Sequence, residues 1–253
     1  MLALERHKKI LELLNLHGAV MVSKLSTELG VTEETVRRDL EKLESQELLR
    51  RTHGGALPMA EGSYEFSLEK RKTLNVEVKK ELARKAVQYI ATGDTVFLDA
   101  STTTFYMAKE IKNMKNVTVI TNSLRVINEL AGSEGVKVIA VGGIVSKNQS
   151  LIGAMTENYI TENYFADKMF FSSKGIGDNS IILEGNEQEC FIKQRMIKNS
   201  RIRYYLCDKS KVGRVGYMRL ATFEDIAYLI TDAPVEGMLK ATLDEFNVEV
   251  INV

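Results

Sequence analysis

Two pairs of neighbouring arginines, Arg37-Arg38 and Arg50-Arg51, lie within one short stretch of the chain. This stretch, residues 30–56, reads GVTEETVRRDLEKLESQELLRRTHGGA. A guanidinium group can pair bidentately with guanine or with a phosphate, so these pairs suit binding to duplex DNA. On a helix that advances about 100° per residue, the stretch separates into an apolar and a polar face. The apolar face carries Val36, Leu40 and Leu43, and the polar face carries Thr35, Arg38 and Lys42, with Arg37 on the flank.

Capping residues define the elements that would position these arginines. Ser23 can cap a short helix through Leu25 and Leu29, Gly30 can end it, and Thr32 can cap the next helix. This is the pattern of a helix-turn-helix, whose second helix enters the major groove. A strand from Leu48 to His53 and a turn at Gly54-Gly55 would add a wing. The predicted DNA-contacting residues are Ser23, Thr32, Thr35, Arg37, Arg38, Lys42, Arg50, Arg51 and His53.

The alternative for this segment is a small helical bundle whose arginines are merely solvated. Residues 1–57 hold nine Lys or Arg and nine Asp or Glu, so the segment is neutral and lacks a broadly basic patch. The basic groups are nevertheless clustered in the two arginine pairs, and acids such as Glu12, Glu28 and Glu47 lie elsewhere in the segment. Because the caps, the spacing and the wing agree with one another, we favour DNA binding.

A second chemical pattern follows Glu77, where helices alternate with short β-branched strands. The strands are predicted at Thr95–Leu98, Val117–Ile120, Val136–Val141, Met169–Ser172, Tyr204–Cys207, Tyr228–Ile230 and Val248–Ile251, and a helix is predicted through Leu82, Ala86 and Ile90. This order predicts a Rossmann-like, largely parallel α/β sheet, in which ligands bind at the carboxyl ends of the strands. The loops at those ends are small, hydroxylated, glycine-bearing or basic. Their candidate effector-binding residues are Asp99, Ser101, Thr102, Thr103, Thr104, Asn122, Ser123, Gly142, Gly143, Lys174, Gly175, Asp208 and Lys211.

These loops favour a phosphorylated sugar as the ligand. The first leads into a helix through Phe105, so free backbone amides and hydroxyl groups would face an anion at the helix N-terminus. Lys174 or Lys211 can supply counter-charge, and Asp99, Asn122 and Asp208 can bond sugar hydroxyls. Each loop alone has a plainer explanation: a helix cap at Ser101–Thr104, a tight turn at Gly142-Gly143, a solvated carboxylate at Asp208. Their convergence at successive strand ends favours a phosphosugar pocket.

The overall composition fits a two-part protein of 253 residues, 44% of them hydrophobic. We expect a winged helix-turn-helix domain at 1–57, a linker at 58–76 around Pro58 and Gly62, and an α/β effector-binding and oligomerisation domain at 77–253. Two separated cysteines and three histidines predict no metal site, and no cofactor is expected. The N-terminus lacks a signal pattern and no apolar run is long enough to span a membrane, so we expect a cytoplasmic protein.

The chain resembles the DeoR family of bacterial sugar-responsive repressors over nearly its whole length. The family's string of Thr, a variable residue, Arg-Arg-Asp-Leu, then Leu, Arg and His-Gly-Gly-Ala corresponds to Thr35–Leu40 and Leu48–Ala56. The resemblance implies a sensor domain that looks like a ribose-phosphate isomerase and binds a phosphorylated sugar. A later helix of the family that carries Asn, Glu and Lys resembles Asn186–Met196, and the family's Asp-Ser-Ser-Lys loop resembles Asp208–Lys211. Two departures are Ser101, where the family carries glycine, and Lys209, which adds positive charge.

The sequence therefore predicts a repressor of carbohydrate genes that binds a double-stranded DNA operator as a homo-oligomer, because one winged helix contacts only a half-site. A rival hypothesis is a sugar-phosphate isomerase. Such an enzyme needs a carboxylate that shuttles a proton, and the strand end at Phe171–Gly175 carries none, although Glu184 and Glu187 are near in sequence. A third possibility is a ligand-free DNA-binding oligomer, which stabilisation by a ligand would contradict.

Overall fold

The chain divides into two compact units, Met1–Arg71 and Lys72–Val253. The structure is a computed structural model that describes residues 3–17, 19–46, 48–52, 54–57, 67–177, 181–214 and 216–253. No helix within these ranges is both long and apolar enough to cross a membrane.

The N-terminal unit consists of helices packed beside a small antiparallel sheet with the strand order β1-β3-β2. Its elements are α1 (Ala3–His17), β1 (Val20–Met21), α2 (Val22–Leu29), α3 (Glu33–Ser45), β2 (Arg50–Thr52) and β3 (Gly55–Leu57). Val36, Leu40 and Leu43 of α3 are buried in one hydrophobic cluster with Ile10 and Leu25, which confirms the predicted apolar face. The unit is a winged helix-turn-helix.

The caps of the two central helices were predicted with mixed success. Gly30 ends α2 and the Thr32 hydroxyl accepts a hydrogen bond from the Thr35 amide at 3.2 Å, both as predicted. The expectation that Ser23 caps α2 is wrong, because α2 begins at Val22 and follows directly from β1. The Val22 amide donates instead to the carbonyl of Gly54 at 2.9 Å. The wing backbone thus satisfies an amide at the helix start, and no serine cap is needed there.

The wing is shorter than the sequence suggested. Its first strand begins at Arg50 rather than at Leu48, and Gly55 belongs to β3, where it pairs with Thr52 and Met21. A β-carbon on Gly55 would lie 1.9 Å from the Val20 carbonyl oxygen. Glycine is therefore required at this position by the close approach of β1, whereas the prediction had assigned it to the turn.

The second unit contains a seven-stranded sheet in which every neighbouring pair is parallel, in the order β15-β14-β12-β9-β4-β5-β6. These strands are β4 (Thr95–Leu98), β5 (Val117–Thr121), β6 (Val136–Ala140), β9 (Ala166–Phe171), β12 (Ser200–Cys207), β14 (Tyr228–Thr231) and β15 (Glu249–Asn252). They confirm the predicted parallel α/β fold. The chain builds outward from β4 to β6 and then returns to the other side of β4 with β9, so β4 and β9 form the topological switch point.

Helices cover both faces of this sheet. They are α5 (Val76–Val87), α6 (Thr102–Ile111), α7 (Leu124–Leu130), α8 (Ala154–Asn163), α9 (Glu187–Lys198) and α10 (Gly237–Glu245). Alternate residues of β4 enter different hydrophobic clusters: Val96 and Leu98 pack with Leu82 of α5, and Phe97 packs with Ile192 of α9. This alternation is what a doubly wound sheet requires of a strand that is buried on both sides.

Shorter elements surround the main sheet. A hairpin is formed by β7 (Ile144–Val145) and β8 (Leu151–Ile152), and a three-stranded antiparallel sheet by β10 (Gly175–Ile176), β11 (Ile181–Glu184) and β13 (Met218–Thr222). The short helix α4 (Leu68–Thr73) lies inside the stretch expected to be a linker, and residues 58–66 of that stretch are outside the described residues.

Candidate DNA interface and effector site

The outer face of α3 presents the basic residues that the sequence singled out. Arg37, Arg38 and Lys42 are exposed, and Thr35 is half-buried. Each arginine pairs with a glutamate one turn earlier: Arg37 with Glu33 at 2.6 Å and Arg38 with Glu34 at 3.4 Å. These pairs are exposed, so they hold the guanidinium groups only weakly and leave them able to exchange partners.

The wing carries the second arginine pair. Arg50 is exposed, while Arg51 is half-buried and lies close to two glutamates of α3. The Arg51 amide donates to Glu44 Oε1 at 2.8 Å, and its guanidinium lies 4.0 Å from Glu41. These contacts fix the wing against the recognition helix. The predicted contact His53 lies outside the described residues.

A buried carboxylate on the inner face of α3 was not recognised in the sequence, although it is part of the Arg-Arg-Asp-Leu string. Asp39 accepts a bidentate pair from Arg6, with the Arg6 Nη2 bond at 2.9 Å, and it lies 2.8 Å from His7 Nε2. Burial acts to raise the pKa of Asp39, but the hydrogen bonds and charges of Arg6 and His7 outweigh it and hold that pKa below its usual range. Asp39 therefore joins the recognition helix to α1.

In the second unit, predicted effector residues of the loop after β4 meet the end of β9 at the switch point between these two strands. Asp99 follows β4 and is fully buried. Its Oδ1 accepts from the Ser101 amide at 3.1 Å and from the Thr104 hydroxyl at 2.8 Å. Its Oδ2 accepts from the Ser172 amide at 3.2 Å and lies 3.1 Å from Lys193 Nζ. Asp99 thus organises the loop before α6 and the end of β9.

Lys193 connects three elements around Asp99 and was not among the predicted site residues. Its ammonium group contacts the Ser172 carbonyl at 2.8 Å, Glu184 at 2.5 Å and Asp99 at 3.1 Å. Burial acts to lower the pKa of Lys193, but the carboxylates of Glu184 and Asp99 outweigh it and raise that pKa well above its usual range. The three contacts of Lys193 are thus to one backbone carbonyl and two carboxylates.

Two further predicted residues lie beside this cluster. Lys211 Nζ donates to the Ser172 hydroxyl at 2.6 Å and lies 3.9 Å from Asp208. Asp208 also accepts from the side-chain amide of Asn75 at 3.0 Å. Burial lowers the pKa of Lys211 against the opposing charge of Asp208, and the pKa of Asp208 is held below its usual range because Lys211, Ser210 and Asn75 outweigh its burial.

Two buried polar atoms near these strand ends lack a hydrogen-bond partner within the described part of the chain. They are Thr103 Oγ1, in the first turn of α6, and Asn122 Oδ1, directly after β5. The two side chains belong to residues that are 1% and 2% exposed. The Asn122 amide nitrogen is held by the Leu151 carbonyl at 3.1 Å, so its oxygen is fixed as an acceptor. Unpaired buried polar atoms are costly, which makes them candidate ligand contacts.

Other predicted effector residues have visible local roles. Ser101 and Ser123 cap α6 and α7, accepting from the amides of Thr104 and Val126. Thr102 is buried in the first turn of α6. Gly142 accepts a hydrogen bond from Thr156 at 2.6 Å.

Gly143 and Gly175 each face a close neighbour. Gly143 has φ of +149°, and a β-carbon on it would lie 2.1 Å from Thr156 Oγ1, so packing alone requires glycine there. Gly175 lies in β10 and pairs with Leu183. Lys174 is half-buried, and its amide donates to the Leu183 carbonyl at 3.1 Å. These loops are therefore well ordered by contacts within the protein.

The family resemblance pointed to Asn186–Met196, but Glu189 and Lys193 within it were not named as site residues, although the sequence carries a signal for them. Glu189 and Lys193 are one turn apart on α9 and lie on its buried face with Cys190 and Met196. A charged pair on an apolar stripe indicates buried polar partners. Glu189 indeed accepts from the Ser150 hydroxyl at 2.9 Å, which links α9 to the segment next to β8.

The two cysteines are unsuited to nucleophilic chemistry. Burial raises the pKa of Cys190 to about 11 and that of Cys207 to about 12, so both remain thiols near neutral pH. Among the described residues, no group of three or more His, Cys, Asp or Glu side chains is arranged to hold a metal ion.

Comparison with known proteins agrees with both halves of this structure. A DeoR-like helix-turn-helix domain matches residues 6–60, and a DeoR C-terminal sensor domain matches residues 74–233. The chain is 39% identical over 251 residues to the HTH-type transcriptional regulator YulB of Bacillus subtilis, covering 99% of this chain and 96% of YulB.

Two repressors are also similar along nearly their whole length. The lactose phosphotransferase system repressor of Streptococcus mutans is 35% identical over 240 residues, covering 93% of this chain and 94% of the repressor. The glycerol-3-phosphate regulon repressor of Escherichia coli is 31% identical over 246 residues, covering 97% of each chain. With a winged helix-turn-helix followed by a matching sensor domain, the chain belongs to the DeoR family of transcriptional regulators.

Proposed function

We propose that this protein is a cytoplasmic repressor of carbohydrate genes, and that a phosphorylated sugar bound at the β4–β9 switch point controls its affinity for operator DNA. Open parallel sheets bind ligands in the crevice beyond the carboxyl ends of the strands at such a point. The repressor relatives of this chain, named for lactose phosphotransferase and glycerol-3-phosphate systems, support a phosphorylated carbohydrate as the effector class.

The proposal rests on two buried atoms that have no hydrogen-bond partner among the described residues, Thr103 Oγ1 and Asn122 Oδ1. A phosphorylated sugar would supply what each atom lacks. The Thr103 hydroxyl can donate to a phosphate oxygen beside the first amides of α6, where the helix dipole favours an anion. The Asn122 oxygen can accept only from a donor, which a sugar hydroxyl provides.

The counter-charge in this proposal comes from Lys211. Its buried ammonium group lies 3.9 Å from Asp208, whereas Lys193 contacts two carboxylates within 3.1 Å. A phosphate dianion would favour the charged form of Lys211, whose pKa is lowered by burial. We therefore assign phosphate pairing to Lys211 and a positioning role to Lys193.

We propose binding without catalysis at this site. An isomerase needs a carboxylate free to accept a proton from the substrate. Asp99 accepts from four donors, and Glu184 accepts from Lys193 and from the Gly185 amide at 2.9 Å. Both carboxylates are thus occupied by the protein itself. We also propose that neither a cofactor nor a metal takes part, and incubation with pentose and hexose phosphates should give no turnover.

The test is a thermal-shift screen of phosphorylated sugars on the wild type and two matched threonine variants. Thr103→Val removes a hydroxyl with no partner in the described structure, so the unliganded protein should keep or slightly gain stability. Thr104→Val is the control, because the Thr104 hydroxyl bonds Asp99 and Ser101, and its loss should lower the melting temperature without ligand.

In the presence of the sugar phosphate we expect the reverse order: the larger loss of affinity should occur in Thr103→Val. A hydrogen bond to a charged group contributes about 1.5–3 kcal/mol, so Thr103→Val should weaken binding of the sugar phosphate that stabilises the wild type by roughly 10- to 150-fold. Unchanged affinity in Thr103→Val would remove this hydroxyl from the site. Should no phosphorylated sugar stabilise the wild type or alter its operator affinity, the proposed function is wrong.

A further inference from the structure

Asn75 joins the beginning of the second unit to the loop that carries Asp208. It stands shortly after Arg71, the last residue of the first unit, and directly precedes α5. Its side-chain amide donates to Asp208 Oδ1 at 3.0 Å and to Ser210 Oγ at 2.9 Å. We call these two hydrogen bonds the Asn75 tether. They connect residues that are 133 and 135 positions apart in the chain.

Asn75 occupies the N-cap position of α5 but does not act as an ordinary cap. Its backbone has φ of 50° and ψ of 40°, in the left-handed region, whereas capping residues usually have an extended backbone. Among the described residues, its side chain makes no capping hydrogen bond to α5. By contrast, Asn186 caps α9 by accepting from the Glu189 amide at 3.0 Å. The Asn75 side chain thus bonds the loop after β12 and not its own helix.

The far end of the tether belongs to the proposed phosphate site. Asp208 accepts from Asn75 through Oδ1, and its Oδ2 lies 3.9 Å from Lys211 Nζ. Lys211 is the residue assigned above to phosphate pairing, so Asp208 and a bound phosphate would compete for one ammonium group. A phosphate dianion at Lys211 would also repel the Asp208 carboxylate. Occupation of the site therefore acts on the same carboxylate that Asn75 holds.

The tether can break without opening the core of the second unit. Asn75 is exposed, whereas Asp208 is 2% exposed. When Asn75 leaves, Asp208 Oδ1 keeps the Ser210 amide as a donor at 3.2 Å. The buried carboxylate is therefore not left without a hydrogen bond, which keeps the cost of the change low. A contact of modest strength suits a reversible switch.

We propose that the Asn75 tether connects the effector site to the control of operator binding. The tether favours the form of the protein that binds the operator, and phosphate at Lys211 releases it. This inference rests on the proposed function and adds its sign, because the sugar phosphate then lowers operator affinity. Asn75 is a positioning residue that acts through Asp208. Breaking the tether by mutation should therefore have the same effect on DNA binding as the sugar phosphate.

The experiment measures operator affinity of the full chain by fluorescence anisotropy in a phosphate-free buffer. Glucose 6-phosphate, fructose 1-phosphate, ribose 5-phosphate and glycerol 3-phosphate are then added separately. The test variant is Asn75→Gly, because glycine keeps the left-handed backbone and removes both bonds of the tether. Asn116→Gly is the matched control. Asn116 is also exposed and has φ of 56°, but it directly precedes β5, at the amino end of that strand.

Without any sugar phosphate, Asn75→Gly should bind the operator at least about fivefold more weakly than the wild type, the lower end of ordinary coupling between sites. Asn75→Asp should show the same loss, because it replaces the donor by a carboxylate that faces Asp208. Asn116→Gly should remain within about twofold of the wild type. Thermal unfolding establishes that each variant is folded.

The response to sugar phosphate distinguishes a positioning role from a merely structural one. The compound that stabilises the wild type should still raise the melting temperature of Asn75→Gly, but it should lower the operator affinity of this variant by less than about twofold further. Wild-type operator affinity in Asn75→Gly without sugar phosphate would overturn the proposal. An equal loss in Asn116→Gly, or a sugar phosphate that strengthens operator binding by the wild type, would also overturn it.

Failure of the proposed function gives a different result. In that case no phosphorylated compound stabilises the wild type or changes its operator affinity, whatever the variants do. If Asn75→Gly still loses operator affinity while Asn116→Gly does not, the tether controls DNA binding and the proposed effector class alone is wrong.

Discussion

The outer face of helix α3 and the switch point of the sensor sheet use ion pairs in opposite ways. On the recognition helix, the pairs Arg37–Glu33 and Arg38–Glu34 are exposed, with arginine side chains 50% and 77% accessible. At the switch point of the sensor sheet, Lys193 is 6% accessible and its partner Asp99 is fully buried. The first arrangement lies in water and the second lies inside the protein.

This difference separates groups that bind a partner from groups that hold a site in place. Exposed pairs contribute about 0–1 kcal/mol, so a DNA phosphate or base can replace the glutamate at little cost. A buried lysine that neutralises two carboxylates cannot leave without exposing uncompensated charge to a low dielectric. We therefore expect the arginines of α3 to contact DNA directly. Lys193 should act indirectly, by keeping the loops of the effector site in position.

The largest effect should follow removal of Lys193. Lys193→Met leaves Asp99 and Glu184 buried without their shared counter-charge, which should reduce the stability of the protein by about 3–5 kcal/mol. Urea unfolding would measure the loss. Arg37→Met is the matched control, because it also removes a cation from a carboxylate, but at an exposed site, and it should change stability by less than about 0.5 kcal/mol. Equal losses in the two variants would contradict the contrast between the pairs.

A smaller effect is expected from the buried pair in the winged unit. Asp39→Asn should destabilise this unit by about 2–3 kcal/mol through loss of charge-assisted bonds from Arg6 and His7, and operator binding should fall with it. Because the pKa of folded Asp39 lies below its usual value, the pair stabilises the protein above about pH 4, and this contribution is lost as pH falls through the folded pKa.

Acid unfolding provides the check on Asp39. Stability of the wild type, followed from pH 6 downward by circular dichroism, should fall more steeply below about pH 4 than that of Asp39→Asn. Parallel pH profiles for the two proteins would show that Asp39 contributes little, despite its contacts with Arg6 and His7.

Replacing Arg38, which is exposed, or Arg51, which is half-buried, should alter DNA binding and leave folding intact. Arg38→Ala should weaken operator binding by about 1–3 kcal/mol if Arg38 reads a base, with a smaller change on unrelated DNA. Arg51→Ala should reduce binding to all sequences alike and lower the salt dependence, because we expect the wing to contact phosphates. Gel-shift titrations at several salt concentrations distinguish the two. Loss at one base position in Arg51→Ala would reverse the assignment of the wing.

The smallest effect concerns the acid that competes with DNA for Arg38. Glu34→Gln removes a carboxylate 3.4 Å from the Arg38 guanidinium, which should strengthen DNA binding by about 0.3–1 kcal/mol at low salt. Fluorescence anisotropy with operator DNA would detect this. Weaker binding in Glu34→Gln would instead show that Glu34 itself contacts the DNA, as a glutamate that accepts from cytosine N4 does.

Local patterns were enough to predict the main helices and strands of both units. The period of 3.6 residues identified the buried face of α3 at Val36, Leu40 and Leu43, and the β-branched run at Thr95–Leu98 became β4 without change. Thr32 was recognised as a cap because its role depends on residues three positions away. The predicted cap at Ser23 was wrong, because α2 begins at Val22, whose amide donates to the Gly54 carbonyl of the distant wing.

The sequence by itself therefore determined the order of elements, the basic face of the recognition helix and the polar character of the strand ends, all of which depend on neighbours within a few residues. Only the tertiary structure decided how charges pair. Asp39 stands next to Arg37 and Arg38 in the chain but pairs with Arg6, 33 residues away. Lys193 of α9 meets Asp99 because it bonds the Ser172 carbonyl at the end of β9, and the strand order places β9 beside β4; no local period encodes which strands become neighbours.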